Sequence, residues 1–123
     1  MVWKLDGNEP VYEQIMDTIR GAVLTGEYAP GQKIPSVRDL AVMAHVNPNT
    51  MQHAMQELER TGLVIAVGTS GRFVTRDVSI LEKIRESHIR KLTVTCAEKF
   101  AQLGVSASQA AQLLLQYENE KEA

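Results

Sequence analysis

The chain has 123 residues, which is enough for one ordinary domain or for a small domain with a helical appendage. It has no apolar run long enough to cross a bilayer and no signal-peptide pattern after Met1, so we expect a cytoplasmic protein that does not bind membranes. The single cysteine excludes an internal disulfide framework and a cysteine-based zinc site, and the net charge of −2 argues against a strongly basic nucleic-acid binder.

Two helices are predicted in the first part of the chain. Pro10 opens a helix to about Thr25, with apolar residues recurring every three or four positions. Residues 30–35 contain two prolines and a glycine, which predicts a turn followed by an extended segment. Ser36 is a favourable N-cap for a second helix, which should end near His45.

A third helix is predicted to begin at Pro48 and to end near Thr61. Asn47 is a favourable N-cap, Pro48 suits the first helical position, and Gly62 closes the helix. Only a short turn separates this helix from the second one, which is the spacing of a helix-turn-helix motif. The apolar stripe that should pack on the other helices consists of Met51, Ala54, Met55 and Leu58.

The opposite side of the third helix is polar and can contact DNA bases. Amide side chains near the start of an exposed helix can pair with adenine edges, and Thr50 can contact a phosphate or a thymine methyl group. Arg38, in the first turn of the second helix, can reach a phosphate or a guanine. An ordinary solvated helix also has an outward polar side, so this pattern alone leaves both interpretations open. The polar side is formed by Asn49, Gln52, His53, Gln56 and Arg60.

A β-hairpin is predicted next, with strands at 63–67 and 72–76 joined by a glycine-bounded turn. A hairpin is marginally stable alone in water, so it must pack on the helices. After a helix-turn-helix motif it is a wing, whose tip lets backbone N–H groups and Arg72 approach a phosphate or the minor groove. A purely structural hairpin is the competing interpretation. The candidate packing residues are Leu63, Ile65, Phe73 and Val74.

Four segments of this region have the order and spacing of a known family. The first is PGQKIPSVRDLA, which runs into the second helix. The others are VNPNT and ELERTGL at the two ends of the third helix, and the glycine-bounded wing. Between Pro10 and Thr75 the chain closely resembles the winged helix-turn-helix domain of GntR-family bacterial transcription regulators. The resemblance implies binding of double-stranded DNA, and the predicted DNA-binding residues are Ser36, Arg38, Asn47, Asn49, Thr50, Gln52, His53, Gly71 and Arg72.

The sequence departs from the family pattern at two positions. Many members have arginine where this chain has Gln52, which should shift base preference from guanine towards adenine. Many also have a basic residue just before the first wing glycine, where this chain has Val67, so one phosphate contact is lost.

The remaining residues predict a helical tail. One long helix is expected over 79–103, and a final helix capped by Ser106 with Gln109 should follow, with a charged, frayed end at 118–123. Two helices cannot enclose a core, so they must pack on the first domain or on another chain, and dimerisation is favoured. The short tail resembles that of the YtrA-type subfamily, whose members dimerise through it and commonly control transporter operons.

These expectations define a mainly α protein with a small β-hairpin, in which residues 1–76 form a winged helix-turn-helix domain and residues 77–123 a helical hairpin for dimerisation. The expected function is that of a homodimeric transcription regulator, a repressor, on a pseudo-palindromic operator. No catalytic motif, cofactor-binding motif or metal-ligand spacing of His45, His53 and His88 is found. The alternatives are a winged-helix protein-interaction module, which the acidic balance favours, and a tail that binds a small-molecule effector.

Overall fold

The computed structural model describes residues 1–122, and Ala123 lies outside the described part. The architecture is mainly α with a small β-hairpin, as the sequence predicts. By contacts the chain divides into two compact units, Met1–Ile84 and the residues from Arg85 on, and each is described here by itself. The elements of the described chain are α1 (Val11–Leu24), α2 (Val37–Ala44), α3 (Pro48–Arg60), β1 (Val64–Ala66), β2 (Arg72–Val74), α4 (Val78–Gln102) and α5 (Ala107–Glu122).

The core of the first unit forms where α3 packs against α1 and α2. The predicted apolar stripe of α3 is confirmed, because each of its four side chains is at most 1% exposed. Burial of an aliphatic or methionine side chain contributes about 1.5–3 kcal/mol, so this stripe fixes the rotation of α3 and leaves its polar side outward. The buried residues that face it include Ile15, Ile19 and Val23 of α1 and Leu40, Ala41 and Ala44 of α2.

The extended segment predicted before α2 pairs with the wing, which the sequence analysis does not predict. Strands β1 and β2 pair antiparallel, with Ile65 opposite Phe73. On the other side of β2, Lys33 forms an antiparallel bridge with Phe73, and the N–H of Ile34 donates to the carbonyl of Arg72 at 3.0 Å. The linker between α1 and α2 therefore adds an edge to the wing.

The wing is attached to the helices through one side only. Leu63, Val64 and Val74 are at most 1% exposed and belong to the core, whereas Ile65 is exposed and Phe73 is half-buried. Packing of the hairpin on the helices is therefore confirmed, and Leu63 and Val74 are the predicted residues that provide it.

The chain before α1 also packs on the core of the first unit. Met1, Trp3 and Leu5 are partly buried against it, and the terminal ammonium group pairs with the carboxylate of Glu27. This segment is therefore part of the folded first unit.

The second unit consists of the later part of α4 and α5. The predicted capping box of α5 is confirmed: the Ser106 hydroxyl accepts from the N–H of Gln109 at 3.2 Å, and the Gln109 amide oxygen accepts from the N–H of Ser106 at 3.0 Å. The predicted frayed end from Glu118 is wrong as far as Glu122, because the helix continues there; glutamate and lysine favour helix, and Lys121 suits the last turn. No helix in residues 1–122 has the length and hydropathy to cross a membrane.

Candidate nucleic-acid interface

The turn between α2 and α3 is fixed by two side-chain caps and one left-handed residue. The Ser36 hydroxyl accepts from the N–H of Asp39 at 3.1 Å, and the side-chain amide oxygen of Asn47 accepts from the N–H of Asn49 at 2.7 Å. His45 closes α2 with φ of 56°, a conformation that residues other than glycine rarely adopt. Each cap leaves the donors of its side chain unused, so the hydroxyl hydrogen of Ser36 and the amide N–H groups of Asn47 can donate to a phosphate.

The polar side of α3 is open to solvent near its start. Asn49 and His53 are exposed, while Thr50 and Gln52 are partly exposed. Within residues 1–122 the amide of Gln52 has no hydrogen-bond partner, so both its donor and its acceptor are available to a base edge. The structure thus brings these four predicted residues together on one accessible surface.

His53 lies at the α1 side of this surface. Its ring is 4.8 Å from the ring of Tyr12, centroid to centroid, with 34° between the planes. This contact restrains the His53 side chain and places an aromatic residue of α1 at the border of the polar surface. The sequence pattern does not predict a role for Tyr12, because the approach of α1 to α3 depends on packing over many residues.

Two arginines near the C-terminal end of α3 are held by glutamates of that helix. Arg60 donates to Glu57, with 2.9 Å between Nε and Oε2, and this hydrogen bond lowers the pKa of Glu57 and raises the pKa of Arg60. Arg72 of the wing donates from Nε to Oε1 of Glu59 at 3.2 Å. By contrast, the exposed Arg38 has no ion pair in the described part of the chain.

The wing tip and the start of α2 enclose a shallow concave surface. Gly71 has φ of 114°, a region that side-chain-bearing residues rarely adopt, and a methyl group there would lie 3.1 Å from Cε of Lys33. Lys33 is therefore part of the wing surface, although the sequence analysis did not select it. The one feature of the sequence that could have indicated Lys33 is its position just before the capped start of α2. The concavity, about 280 Å³ in volume, is lined in part by Lys33, Ser36, Thr69, Ser70, Gly71 and Arg72.

The structure therefore groups eight of the nine predicted residues at two places in the first unit, and the ninth, Arg38, is exposed on α2. Asn47, Asn49, Thr50, Gln52 and His53 belong to the start of α3, and Ser36, Gly71 and Arg72 line the wing concavity. Within the described chain, no group of three or more His, Cys, Asp or Glu residues could hold a metal ion. Two capped helices joined by a tight turn and followed by a packed hairpin define a winged helix-turn-helix protein.

Comparison with known proteins gives the family. Residues 11–74 match the model of the bacterial regulatory proteins of the gntR family. The chain is 31% identical over 103 residues to the uncharacterized HTH-type transcriptional regulator YhcF of Bacillus subtilis, covering 84% of this chain and 85% of YhcF. It belongs to the GntR family of bacterial transcription regulators. The prediction that it is a transcription regulator and not an enzyme is thereby confirmed.

Further similarities support the family assignment and the fold. The HTH-type transcriptional repressor YtrA of Bacillus subtilis is 40% identical over 68 residues, which cover 55% of this chain and 52% of YtrA. The structure of a GntR family transcriptional regulator from Listeria monocytogenes has a TM-score of 0.82 at 31% identity, covering 91% of this chain and 98% of that one. The predicted resemblance to GntR proteins, including a YtrA regulator, is confirmed.

Solved structures similar to this chain include complexes with DNA. The DNA-binding domain of AraR in complex with operator ORE1 has a TM-score of 0.53 at 28% identity, covering 61% of this chain and 94% of that chain. That protein is a relative bound to an operator, and its fold is shared by the unit described above.

Proposed function

We propose that this chain is a cytoplasmic, homodimeric repressor that binds a pseudo-palindromic operator through the start of α3 and the wing. The observation that supports DNA binding is the Gln52 amide, which has no partner within residues 1–122 and lies on an open polar surface of α3. The apolar stripe on the opposite side of α3 is fully buried. The wing would contact the adjacent backbone. The remaining predicted DNA-binding residues of α2 and α3 contribute phosphate or base contacts around this centre, and Gly71 and Arg72 belong to the wing.

The dimer is proposed to form through the tail. Helix α4 has no buried residue; its Leu92 is 71% exposed, and Leu103, which follows the helix, is 80% exposed. In α5 the run Leu113–Leu115 is exposed as well. A soluble protein rarely leaves such apolar surface open, and a second copy would cover it. We accordingly assign residues 1–76 to DNA binding and 77–123 to dimerisation, because α4 begins at Val78; its first two turns, with Leu81 and Ile84, pack on the core of the first unit.

The target and the effector are further parts of the proposal. Similarity to YtrA-type regulators supports an operon for a transporter as the target. A small-molecule effector would bind in the tail, where a shallow depression of about 360 Å³ is lined in part by Val105, Gln109 and Leu113. A thermal-shift screen of small molecules tests the effector, since a ligand that binds the folded protein raises its melting temperature.

DNA binding is tested by selecting duplexes from a random-sequence pool with the full chain and footprinting the protected bases. We expect two protected half-sites with inverted sequences and an affinity that falls as the salt concentration rises. Selection of no duplex would refute DNA binding and favour a winged-helix protein-interaction module.

The dimer is tested with Leu92→Glu, which places a charge on the exposed apolar surface of α4. We expect analytical ultracentrifugation to show monomers and operator affinity to fall by about 10²- to 10⁴-fold, because linked binding to two half-sites is lost. Ser87→Glu adds the same charge at an exposed polar position of α4 and should leave the dimer intact. A monomeric wild-type chain would refute the dimer.

A further inference from the structure

Two cations lie at the wing, and the structure gives them different surroundings. The Arg72 side chain is 19% exposed, and its Nε donates to Oε1 of Glu59 at 3.2 Å. Glu59 belongs to the last turn of α3, so this ion pair joins the wing to that helix. Arg72 thus has a carboxylate partner within the protein.

Lys33 has no such compensation. It is exposed and has no ion pair within residues 1–122. Its side chain extends across Gly71, where an added Cβ would lie 3.1 Å from Cε and 3.8 Å from Nζ. Its backbone is fixed as well, because Lys33 forms a bridge with Phe73 and the next N–H donates to the Arg72 carbonyl.

These surroundings determine which cation a phosphate can use. Binding a phosphate through Arg72 requires the guanidinium to be shared with Glu59 or released from it, and the remaining carboxylate would repel the phosphate. Binding through Lys33 requires neither, because its ammonium group already lies at the wing tip beside the concavity. An unpaired cation on a fixed backbone therefore has the advantage.

We propose that Lys33, on the linker before α2, makes the wing's phosphate contact, and that Arg72 is a positioning residue that holds the wing on α3 through Glu59. This assignment rests on the proposed DNA-binding function. It also explains Gly71: a side chain at this position would displace Lys33 from the tip, in addition to the strain at its positive φ.

Salt dependence distinguishes the two roles, because each phosphate contact releases counterions. The logarithm of the binding constant falls with the logarithm of the salt concentration, with a slope of about 0.9 per contact. For Lys33→Gln in the full chain, measured on the selected duplex, we expect the slope to decrease by about 0.9 per bound protomer. Lys33→Arg should retain the slope, and Arg90→Gln, at an exposed cation on the side of α4 opposite Leu92, should not change it.

Arg72→Gln should weaken binding without changing that slope. A double-mutant cycle of Glu59→Arg and Arg72→Glu tests the positioning role, because the reversed pair can form again. If the two substitutions acted independently, the fold-losses in affinity of the two single variants would multiply. We expect the double variant to bind the duplex about threefold or more tighter than that product predicts. A direct phosphate contact by Arg72 would give independent effects, because a glutamate at 72 would repel the phosphate.

The outcomes separate this inference from the function on which it rests. An unchanged slope in Lys33→Gln, or a decrease of about 0.9 per protomer in Arg72→Gln, overturns the assignment while leaving DNA binding intact. Additive effects in the cycle overturn the positioning role. Failure of the wild-type chain to select any duplex overturns both the proposed function and this inference.

Discussion

Replacing Gln52 by alanine tests the recognition surface with little effect on folding. Gln52 is partly exposed, and its amide makes no hydrogen bond within the described chain. The free energy of unfolding should therefore change by no more than about 0.5 kcal/mol. One bidentate contact between an amide and a base contributes about 1–3 kcal/mol, and a dimer repeats it in both half-sites. The expected loss is about 2–6 kcal/mol per dimer, or roughly 30-fold to 20,000-fold in affinity.

The assay measures both affinity and base preference. Binding of the wild type and of Gln52→Ala is measured on the selected duplex and on duplexes with single base-pair changes, and urea unfolding is measured in parallel. The variant should lose discrimination at one base pair of each half-site and retain it elsewhere. Gln102→Ala, at an exposed glutamine of α4, is the matched control and should change neither quantity. Equal affinity and equal preference in wild type and variant would remove Gln52 from the DNA-reading set.

Three further predictions concern stability. Gly71→Ala should lower the free energy of unfolding by about 1–3 kcal/mol, because alanine is strained at φ of 114°; unchanged urea unfolding would contradict this. Met55→Ala, at a position 1% exposed, should cost about 2–5 kcal/mol by leaving a cavity, and a loss below 1 kcal/mol would indicate that the core collapses around it. Asp77→Ala should lower the free energy of unfolding, because the carboxylate accepts the N–H of Ser79 at the start of α4. The hydrogen bond from the Ser79 hydroxyl lowers the pKa of Asp77 in the folded protein. The stability that this carboxylate contributes is therefore complete above its ordinary pKa of 3.8 and is lost as the pH falls below 3.8. A difference in stability between wild type and variant that persists in acid would contradict this.

Local patterns were sufficient to predict the helices and the polar surface. The spacing of Met51 and Leu58 identifies the buried side of α3 because a helix has 3.6 residues per turn whatever surrounds it. The caps at Ser36 and Asn47 depend on neighbours two or three residues away, so the sequence shows both partners. The order of the helices and wing also followed from local signals and from resemblance to a family.

Contacts between distant residues were not predictable in this way. The ion pair between Glu59 and Arg72, the position of Lys33 over Gly71 and the left-handed conformation of His45 all depend on how the assembled elements meet. Arginines that look equivalent in the sequence therefore differ in the structure. Some have a carboxylate partner, and others have none and are available to a phosphate. Net charge does not reveal this difference, since it sums over all of them.

The extended segment that joins the wing also has a kinetic consequence. Lys33 and Phe73 become neighbours only after the chain between them, which contains α2 and α3, has closed into a loop. Closing such a loop costs entropy before any contact compensates for it, so completion of the wing should be a late step in folding. A protease cut in the linker before Lys33 would free one end of that loop and should accelerate hydrogen exchange in β2, far away in sequence.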